Sequence, residues 1–395
     1  MSCLFYVQAV LLCLCVVQAK PNIDYVSPKN ILVFGGNGFL GSATVETLLE
    51  ADHVITIVNR GNWYWDSVFT IKPRVQHISC DRGVTLRKCD GLVELVGKKS
   101  FDVVVDFSGY HPFAVTEAVD LLKDNLSLYI YISSDSVYEV CEKSHSEPSR
   151  ETDDVRPNSE EVRNALAEKD DYGHRKLQCE EELEKQRQNG GFPYVSLRLP
   201  DVIGPRDNTY RWWIYQMWIK LSKYLEKPVS VPARFLNKPI SLVYSQDVAR
   251  FIGLLLQPNP EWLDQAYNLA FKETPSLLDV LTDMKMALNM TDLTIKTHTG
   301  EDAMYLFPSV RQGPVDISKA VDVLGWDPTP WEEAVLETVD FYESAVTHND
   351  FDVPRKDIIR TMQSYFTSRP FKVLVGLRRE YGLHYQGPNL KKDEL

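Results

Sequence analysis

Cysteine is scarce in this chain once its first residues are set aside. Three of the seven cysteines fall in the opening stretch MSCLFYVQAVLLCLCVVQA, leaving Cys80, Cys89, Cys141 and Cys179. Four thiols are too few for a disulfide framework that replaces a hydrophobic core. They can still pair in an oxidising compartment, with Cys80 and Cys89 the closest in sequence. Metal-ligand clusters are missing as well: the eight histidines are scattered, with no spacing that would close around an ion. No basic run stands out and the net charge is −12, which argues against a nucleic-acid partner. No internal repeat is visible, so solenoid and propeller architectures drop out.

What is present begins at the two ends. The opening stretch carries no charge and closes on Val17-Gln18-Ala19, the pattern of a secretory signal peptide over residues 1–19, cleaved near Lys20. The competing reading is a membrane anchor, since the apolar run is near the minimum for a span. The last four residues are Lys392-Asp393-Glu394-Leu395, the address read by the KDEL retrieval receptor. Together the ends predict a protein of the endoplasmic reticulum lumen with no membrane span in the mature chain. Asn125-Leu126-Ser127 and Asn289-Met290-Thr291 are then glycosylation candidates at Asn125 and Asn289, usable where exposed.

Between the ends, short apolar strands alternate with amphipathic helices: NILVF, then SATVETLLEA, then HVITIVN, VQHIS, FDVVVDF, a helix near 114–123, and LSLYIYIS. This is the pattern of an α/β doubly wound parallel sheet. A polar segment over 142–170 looks like a surface insertion, followed by a helix over 172–188 and the strand YVSLRL. The expected organisation is a nucleotide-binding domain over 20–199 and a smaller, mainly substrate-binding lobe over 200–345. Residues 240–256 would return to the first domain, and the tail 346–395 has no assigned element.

ILVFGGNGFLG sets Gly35, Gly38 and Gly41 directly after a strand and at the start of a helix, with Phe39 and Leu40 between the last two glycines. Such a turn lets a pyrophosphate approach the backbone and sit on the helix N-terminus, so NAD(P) is the expected cofactor. The next strand ends in Asn59-Arg60 rather than an acid, which favours NADP over NAD. Asp81, after the third strand, either accepts from the adenine amino group or simply ends the strand. Tyr172-Gly-His-Arg-Lys176 places a phenol and an ammonium four apart on one helix face, where the cation is expected to lower the tyrosine's pKa.

Taken with VVDFSGY, YISSDSVY, RLPDVIGP, SLVYSQDVARFI and DISKAVDVLGWDPTPWEEAV, these motifs resemble the extended or atypical short-chain dehydrogenase/reductase superfamily, in its NAD-dependent epimerase/dehydratase branch, over residues 29–345. The resemblance implies Tyr172 as base and acid, Ser134 bonded to the reacting oxygen, and Lys176 on the cofactor ribose. It also implies Ser108 and Gly109 beside the nicotinamide, and a homodimer built on two helices per subunit.

Two departures from the pattern bear on the substrate. Dehydratases of the superfamily carry Asp-Glu after the catalytic hydroxyl, whereas this chain has Asp135-Ser136, so the eliminating base is absent. Asp135 either orients substrate or is held within its own loop. Epimerases carry R-x-x-N-x-x-G, where this chain has Arg198-Leu-Pro-Asp201-Val-Ile-Gly204. Unless offset by Arg206 or another cation, Asp201 would repel a nucleotide-sugar pyrophosphate. Arg211 could bind an anion, while Trp212 and Trp213 read better as core. The leading expectation is hydride transfer at a carbinol or carbonyl carbon of a small molecule, such as a sugar or nucleotide-sugar. A reductase or dehydrogenase of a smaller carbonyl compound is the alternative, and a non-catalytic nucleotide-binding scaffold or sensor is the second.

Overall fold

A computed structural model describes residues 27–143, 146–257, 259–300, 304–311 and 313–384. The leader at 1–19 and the terminal KDEL both lie outside the described residues. Within them, the strands are β1 (Asn30–Phe34), β2 (Val54–Asn59), β3 (Gln76–Ser79), β4 (Phe101–Asp106), β5 (Leu126–Ser134), β6 (Tyr194–Leu199), β7 (Asp201–Ile203), β8 (Ser230–Pro232), β9 (Leu242–Tyr244), β10 (Gln265–Asn268) and β11 (Lys296–His298). Seven of them form one parallel sheet in the order β10-β6-β5-β4-β1-β2-β3.

The reason lies in the strand sequences. Ile31 to Phe34 have no exposed surface, because the sheet is covered on both faces and its central strands are therefore continuously apolar. The pleat still sorts the side chains. Ile31 and Val33 join one core cluster with α1 (Phe39–Glu50), while Leu32 and Phe34 join another on the opposite face. After the short α2 (Ser67–Thr70), that opposite face is built by α3 (Asp90–Val96) and α4 (Pro112–Leu122). α5 (Glu160–Lys169) then precedes α6 (Asp171–Gln188), which packs beside α4 and lends Cys179 and Leu183 to the same cluster. Strand order reverses between β1 and β4, which opens a crevice at the C-terminal strand ends.

The second core gathers α7 (Arg211–Lys220) with Trp212 and Trp213 fully buried, so the core reading of these tryptophans holds. α8 (Ser245–Leu255) crosses back to pack on α1. α9 (Leu277–Ala287) belongs to the second core, α10 (Ser318–Leu324) to the β1 face, and α11 (Trp331–Thr347) to the second core again. The tail is structured: α12 (Asp352–Tyr365) and α13 (Phe371–Tyr381) bury Ile358, Ile359, Met362, Val373 and Leu377 in the second core.

Three sequence expectations change. Residues 265–268, assigned to the lobe, form the outer strand of the main sheet, because β10 pairs with β6. β9, within the stretch expected to return to the main sheet, pairs with β7 in a two-stranded sheet instead. The polar segment 142–170 is partly built into the fold: Glu151 accepts from the Asn268 backbone N–H at 2.8 Å, and α5 closes the segment. No described helix is long and apolar enough to cross a membrane.

Candidate active site

A cleft of about 1250 Å³ runs across the strand ends, lined from the Gly35–Gly41 turn at one end to Asp201, Arg211 and Arg311 at the other. Gly35, Gly38, Phe39, Leu40, Gly41, Asn59, Arg60, Asp81, Ser108, Ser134, Asp135, Tyr172 and Lys176 all line it, so most of the residues singled out by sequence meet in one place. At the glycine turn the geometry leaves no freedom. A Cβ on Gly41 would stand 2.7 Å from the Gly35 carbonyl oxygen and 2.9 Å from the Gly36 Cα, so only glycine lets α1 start this close to β1. Gly38 caps α1 with no side-chain bond, which leaves its first N–H groups facing the cleft.

At the adenosine end, Asn59 Oδ1 is used by the Gly61 N–H at 2.7 Å and by His77 Nε2 at 3.0 Å. Its buried Nδ2 has no partner among the described residues, and Arg60 is exposed beside it. These are donors, suited to an acceptor. Asp81 accepts from the Gly83 N–H at 2.9 Å, so its carboxylate also closes its own turn.

One element of this floor has no periodic signature in the sequence. Arg82 is buried and pairs with Asp106 at 2.5 Å, and Tyr129 donates to the other Asp106 oxygen at 2.5 Å. Arg82 also reaches Ser108 Oγ at 3.3 Å and the Ala114 carbonyl at 2.9 Å, and lies 4.1 Å from the centre of the Phe34 ring. Burial opposes the charge on both partners, yet each holds the other ionised: Asp106 is pulled below the usual carboxylate range and Arg82 is pushed up. Asp106 Oδ1 accepts from the Ser108 N–H at 3.0 Å, which fixes the loop bearing Ser108 and Gly109. Gly109 does not line the cleft; it presents its carbonyl to Tyr131 Oη at 2.7 Å and to Lys176 Nζ at 3.4 Å.

At the centre, β5 ends in Ser133 and Ser134 and runs into a tight turn over 135–140. α6 begins against that turn. A Cβ on Gly173 would meet the Ser136 carbonyl oxygen at 2.2 Å, so the glycine inside the tyrosine–lysine motif is what allows Tyr172 to approach Ser134. Ser134 and Tyr172 both line the cleft at this point, and the Ser134 hydroxyl also receives the Ser136 N–H at 3.2 Å. Lys176 Nζ donates to the Ile132 carbonyl at 2.6 Å and sits 5.8 Å from the Tyr172 ring centre.

The electrostatics differ from the sequence expectation in one respect. Tyr172 is pushed up rather than down, by burial first and then by Tyr110 and Asp135, with Ser134 opposing. Lys176 does not counter this because it is turned toward the strand carbonyls, and burial depresses its own pKa to about 8. Asp135 is almost fully buried and receives Ser134 Oγ at 3.3 Å. Burial and the neighbouring Asp201, Glu139 and Asp170 push its carboxyl well up from the usual carboxylate range.

Asp201 and Arg211 are spent on each other. Asp201 accepts from Arg211 Nη1, from Ser309 Oγ at 2.7 Å and from the Ser309 N–H at 2.7 Å. Arg211 Nε goes to Thr209 Oγ1 at 3.0 Å. The repulsion of an anionic substrate expected from Asp201 is thereby neutralised, by Arg211 rather than by Arg206, which pairs with Asp66 and Glu46. Among the described residues no group of His, Cys, Asp and Glu gathers as metal ligands. Cys80 and Cys89 are disulfide-bonded, whereas Cys141 and Cys179 are buried thiols pushed up to about 12 and about 11, which keeps both protonated.

Solved structures share this architecture. A dTDP-glucose 4,6-dehydratase from Bacillus anthracis in complex with NAD superposes with a TM-score of 0.62 at 18% identity, covering 80% of this chain and 97% of its own. A UDP-glucose 4-epimerase from Thermotoga maritima with UDP-glucose gives 0.62 at 19%, covering 80% and 99%. A UDP-N-acetylglucosamine 4-epimerase from Methanobrevibacter ruminantium, in complex with UDP-N-acetylmuramic acid, gives 0.62 at 20%, covering 81% and 99%. No curated protein sequence matches. At these identities the likeness establishes the fold. The sequence profile described as the NAD dependent epimerase/dehydratase family matches residues 31–270. The chain is therefore a member of the NAD-dependent epimerase/dehydratase family, an NAD-dependent enzyme of the short-chain dehydrogenase/reductase type.

Proposed function

We propose that this enzyme moves a hydride at a carbinol or carbonyl carbon of a sugar, most simply a nucleotide sugar, with Tyr172 as base and acid, in the lumen of the endoplasmic reticulum. The observation that carries the reading is the convergence of Ser134, Tyr172 and Lys176 at the end of β5, beside a glycine turn shaped for a dinucleotide. A bound nicotinamide cofactor supplies the hydride acceptor and donor. Tyr172 takes the proton from the substrate hydroxyl and returns it, while Ser134 bonds the same oxygen and orients it. In this reading Lys176 turns from the Ile132 carbonyl to bind the cofactor ribose. The positive charge of the oxidised nicotinamide favours the phenolate that burial disfavours. The relatives of matching fold act on UDP- and dTDP-linked sugars by their names, and the neutralised Asp201 leaves room for such an anion here.

NADP is the cofactor favoured by Arg60, an exposed cation on the cleft at the end of β2, where an acid would select NAD. The test is to purify the chain from a secretory host, denature it and identify the released nucleotide by mass spectrometry. Stoichiometric retained cofactor supports a reaction that recycles it within each turnover, such as epimerisation. An empty protein that binds NADPH reversibly favours the reductase of a smaller carbonyl compound. Arg60→Ala is expected to weaken NADP roughly tenfold and leave NAD unchanged, as loss of a charge-assisted hydrogen bond would. Equal effects on the two cofactors would refute the NADP preference.

The lumenal location rests on the leader, the C-terminal KDEL and the bonded Cys80–Cys89 pair, and it names the KDEL receptor as a partner. A homodimer through α4 and α6, which pack side by side, is part of the same proposal. Glycosylation follows with one site favoured. Asn289 is exposed after α9, whereas the Asn125 side chain is half-buried, donating to the Val96 carbonyl at 3.3 Å and accepting from Ser100 at 3.4 Å. Asn289→Gln is expected to abolish an endoglycosidase-sensitive gel shift that Asn125→Gln leaves in place. A shift that survives Asn289→Gln would show the assignment to be wrong.

A further inference from the structure

The loop between β7 and α7 reaches out of the second lobe and over the start of α1. A Cβ placed on Gly38 would lie 3.8 Å from Asn208 Nδ2 and 3.6 Å from the Tyr64 ring, so both side chains stand directly above the glycine turn. Asn208 lines the cleft, and among the described residues its side chain has no hydrogen-bond partner.

Every other polar side chain from 206 to 209 is spent on holding the loop. Arg206 forks onto Asp66, with Nε at 2.5 Å and Nη2 at 2.9 Å, and its Nη1 meets Glu46 of α1 at 2.7 Å. Asp207 accepts from the Thr209 N–H at 2.7 Å, from Thr209 Oγ1 at 2.6 Å and from the Arg211 N–H at 3.2 Å. The Asp207 N–H donates to Tyr342 Oη at 3.0 Å, and Tyr342 in turn donates to the Gly204 carbonyl at 3.0 Å. Arg206 and Tyr210 both adopt left-handed backbone, with φ of 65° and 61°. Such conformations persist only where the surroundings dictate them, which is the work of these bonds.

We propose that Asn208 is a cofactor-binding residue supplied by the second lobe: its side-chain amide donates to the pyrophosphate of the dinucleotide, and the Arg206–Asp66–Glu46 clamp holds it in place. The inference rests on the cofactor reading above and goes beyond it, because it makes the second lobe part of the cofactor site. Arg206 is not itself a phosphate ligand, since two carboxylates neutralise it. Its role is positional. It joins the loop at 204–210 to the segment carrying Tyr64 and Asp66, so that one strap from each lobe closes over the same turn.

The test uses titration calorimetry on the full chain with NADP, NAD, ADP and adenosine. Asn208→Ala is expected to keep the wild-type melting temperature and to weaken ADP and the dinucleotide about tenfold. Adenosine, which has no diphosphate, is expected to bind unchanged. Asn208→Asp should weaken both diphosphate ligands more than Asn208→Ala, because it faces them with a carboxylate. Arg206→Gln should weaken the same ligands, and adding Asn208→Ala to it should cost little more, because the amide has already lost its place. Equal binding of ADP by wild type and both Asn208 variants overturns the proposal, as does an equal loss for adenosine. A wild-type chain that binds neither dinucleotide overturns the cofactor reading and this inference with it.

Discussion

Replacing Tyr172 by phenylalanine is expected to lower turnover by about 10²–10⁴-fold, the range that a positioned general acid–base supplies. The change removes one oxygen from a side chain that opens on the cleft beside Ser134. No buried group is left unpaired, so the fold and cofactor affinity should survive. The readout is chromatographic separation of products after incubation with a panel of UDP- and dTDP-sugars, with nicotinamide absorbance for any net oxidation or reduction, alongside cofactor titration of the same variant. Activity that persists in Tyr172→Phe would move the proton transfer to another group in the cleft. Asp135, whose carboxyl burial pushes well up, would be the first to examine. Activity and cofactor binding lost together would instead mark Tyr172 as a residue of the cofactor pocket.

The largest effect on stability is expected at Arg198. Its side chain is 1% exposed and is held by Glu180 Oε2 at 2.6 Å, Asp154 Oδ2 at 2.6 Å, Tyr138 Oη at 3.1 Å and the Glu151 carbonyl at 3.0 Å. Ser133 also donates to Glu180. Burial opposes the guanidinium charge, but Glu180 and its neighbours keep it protonated. Arg198→Met strands Glu180 as an uncompensated buried carboxylate, for which about 3–5 kcal/mol is expected to be lost. Pairing it with Glu180→Leu should return part of that loss, because the stranded carboxylate is gone while Ser133, Tyr138 and the Glu151 carbonyl still lose a partner. Thermal or urea unfolding of the single and double variants measures both. A single variant that melts with the wild type, or a double variant no better than the single, would show that the network does not carry this energy. Glu180 lies one turn beyond Lys176 on α6, so the single variant should also disturb Lys176 of the candidate site.

The network shows why sequence reading reached the site but not its supports. Tyr172 and Lys176 are four residues apart on one helix, and Gly35, Gly38 and Gly41 follow one strand directly. Such local spacing can be read along the chain. Arg198 and Glu180 are 18 apart, and the Asn268 amide that accepts from Tyr138 is 130 away. No periodicity links such positions. Asp201 and Arg211 were legible as polar groups in a cleft, but not as each other's partners, because that depends on how β7 delivers one and α7 the other.

The tail gives the same lesson at the level of elements. α12 and α13 each set their apolar residues on one face, and they hold as helices because the second core offers that face a partner. The polar stretch at 142–170 is likewise anchored by bonds that reach across the fold.

By itself, then, the sequence determined the alternation of strand and helix, the glycine turn, and the serine, tyrosine and lysine of the centre. These depend on side-chain period and on contacts within a few residues. Only the tertiary structure decided which polar groups are spent and which remain free: Asp201 neutralised, Arg82 buried under the cleft, and Asn208 without a partner among the described residues beside the glycine turn. The physical reason is that a polar group's chemistry is set by its partners and by its exclusion from water, and both come from residues far apart in the chain.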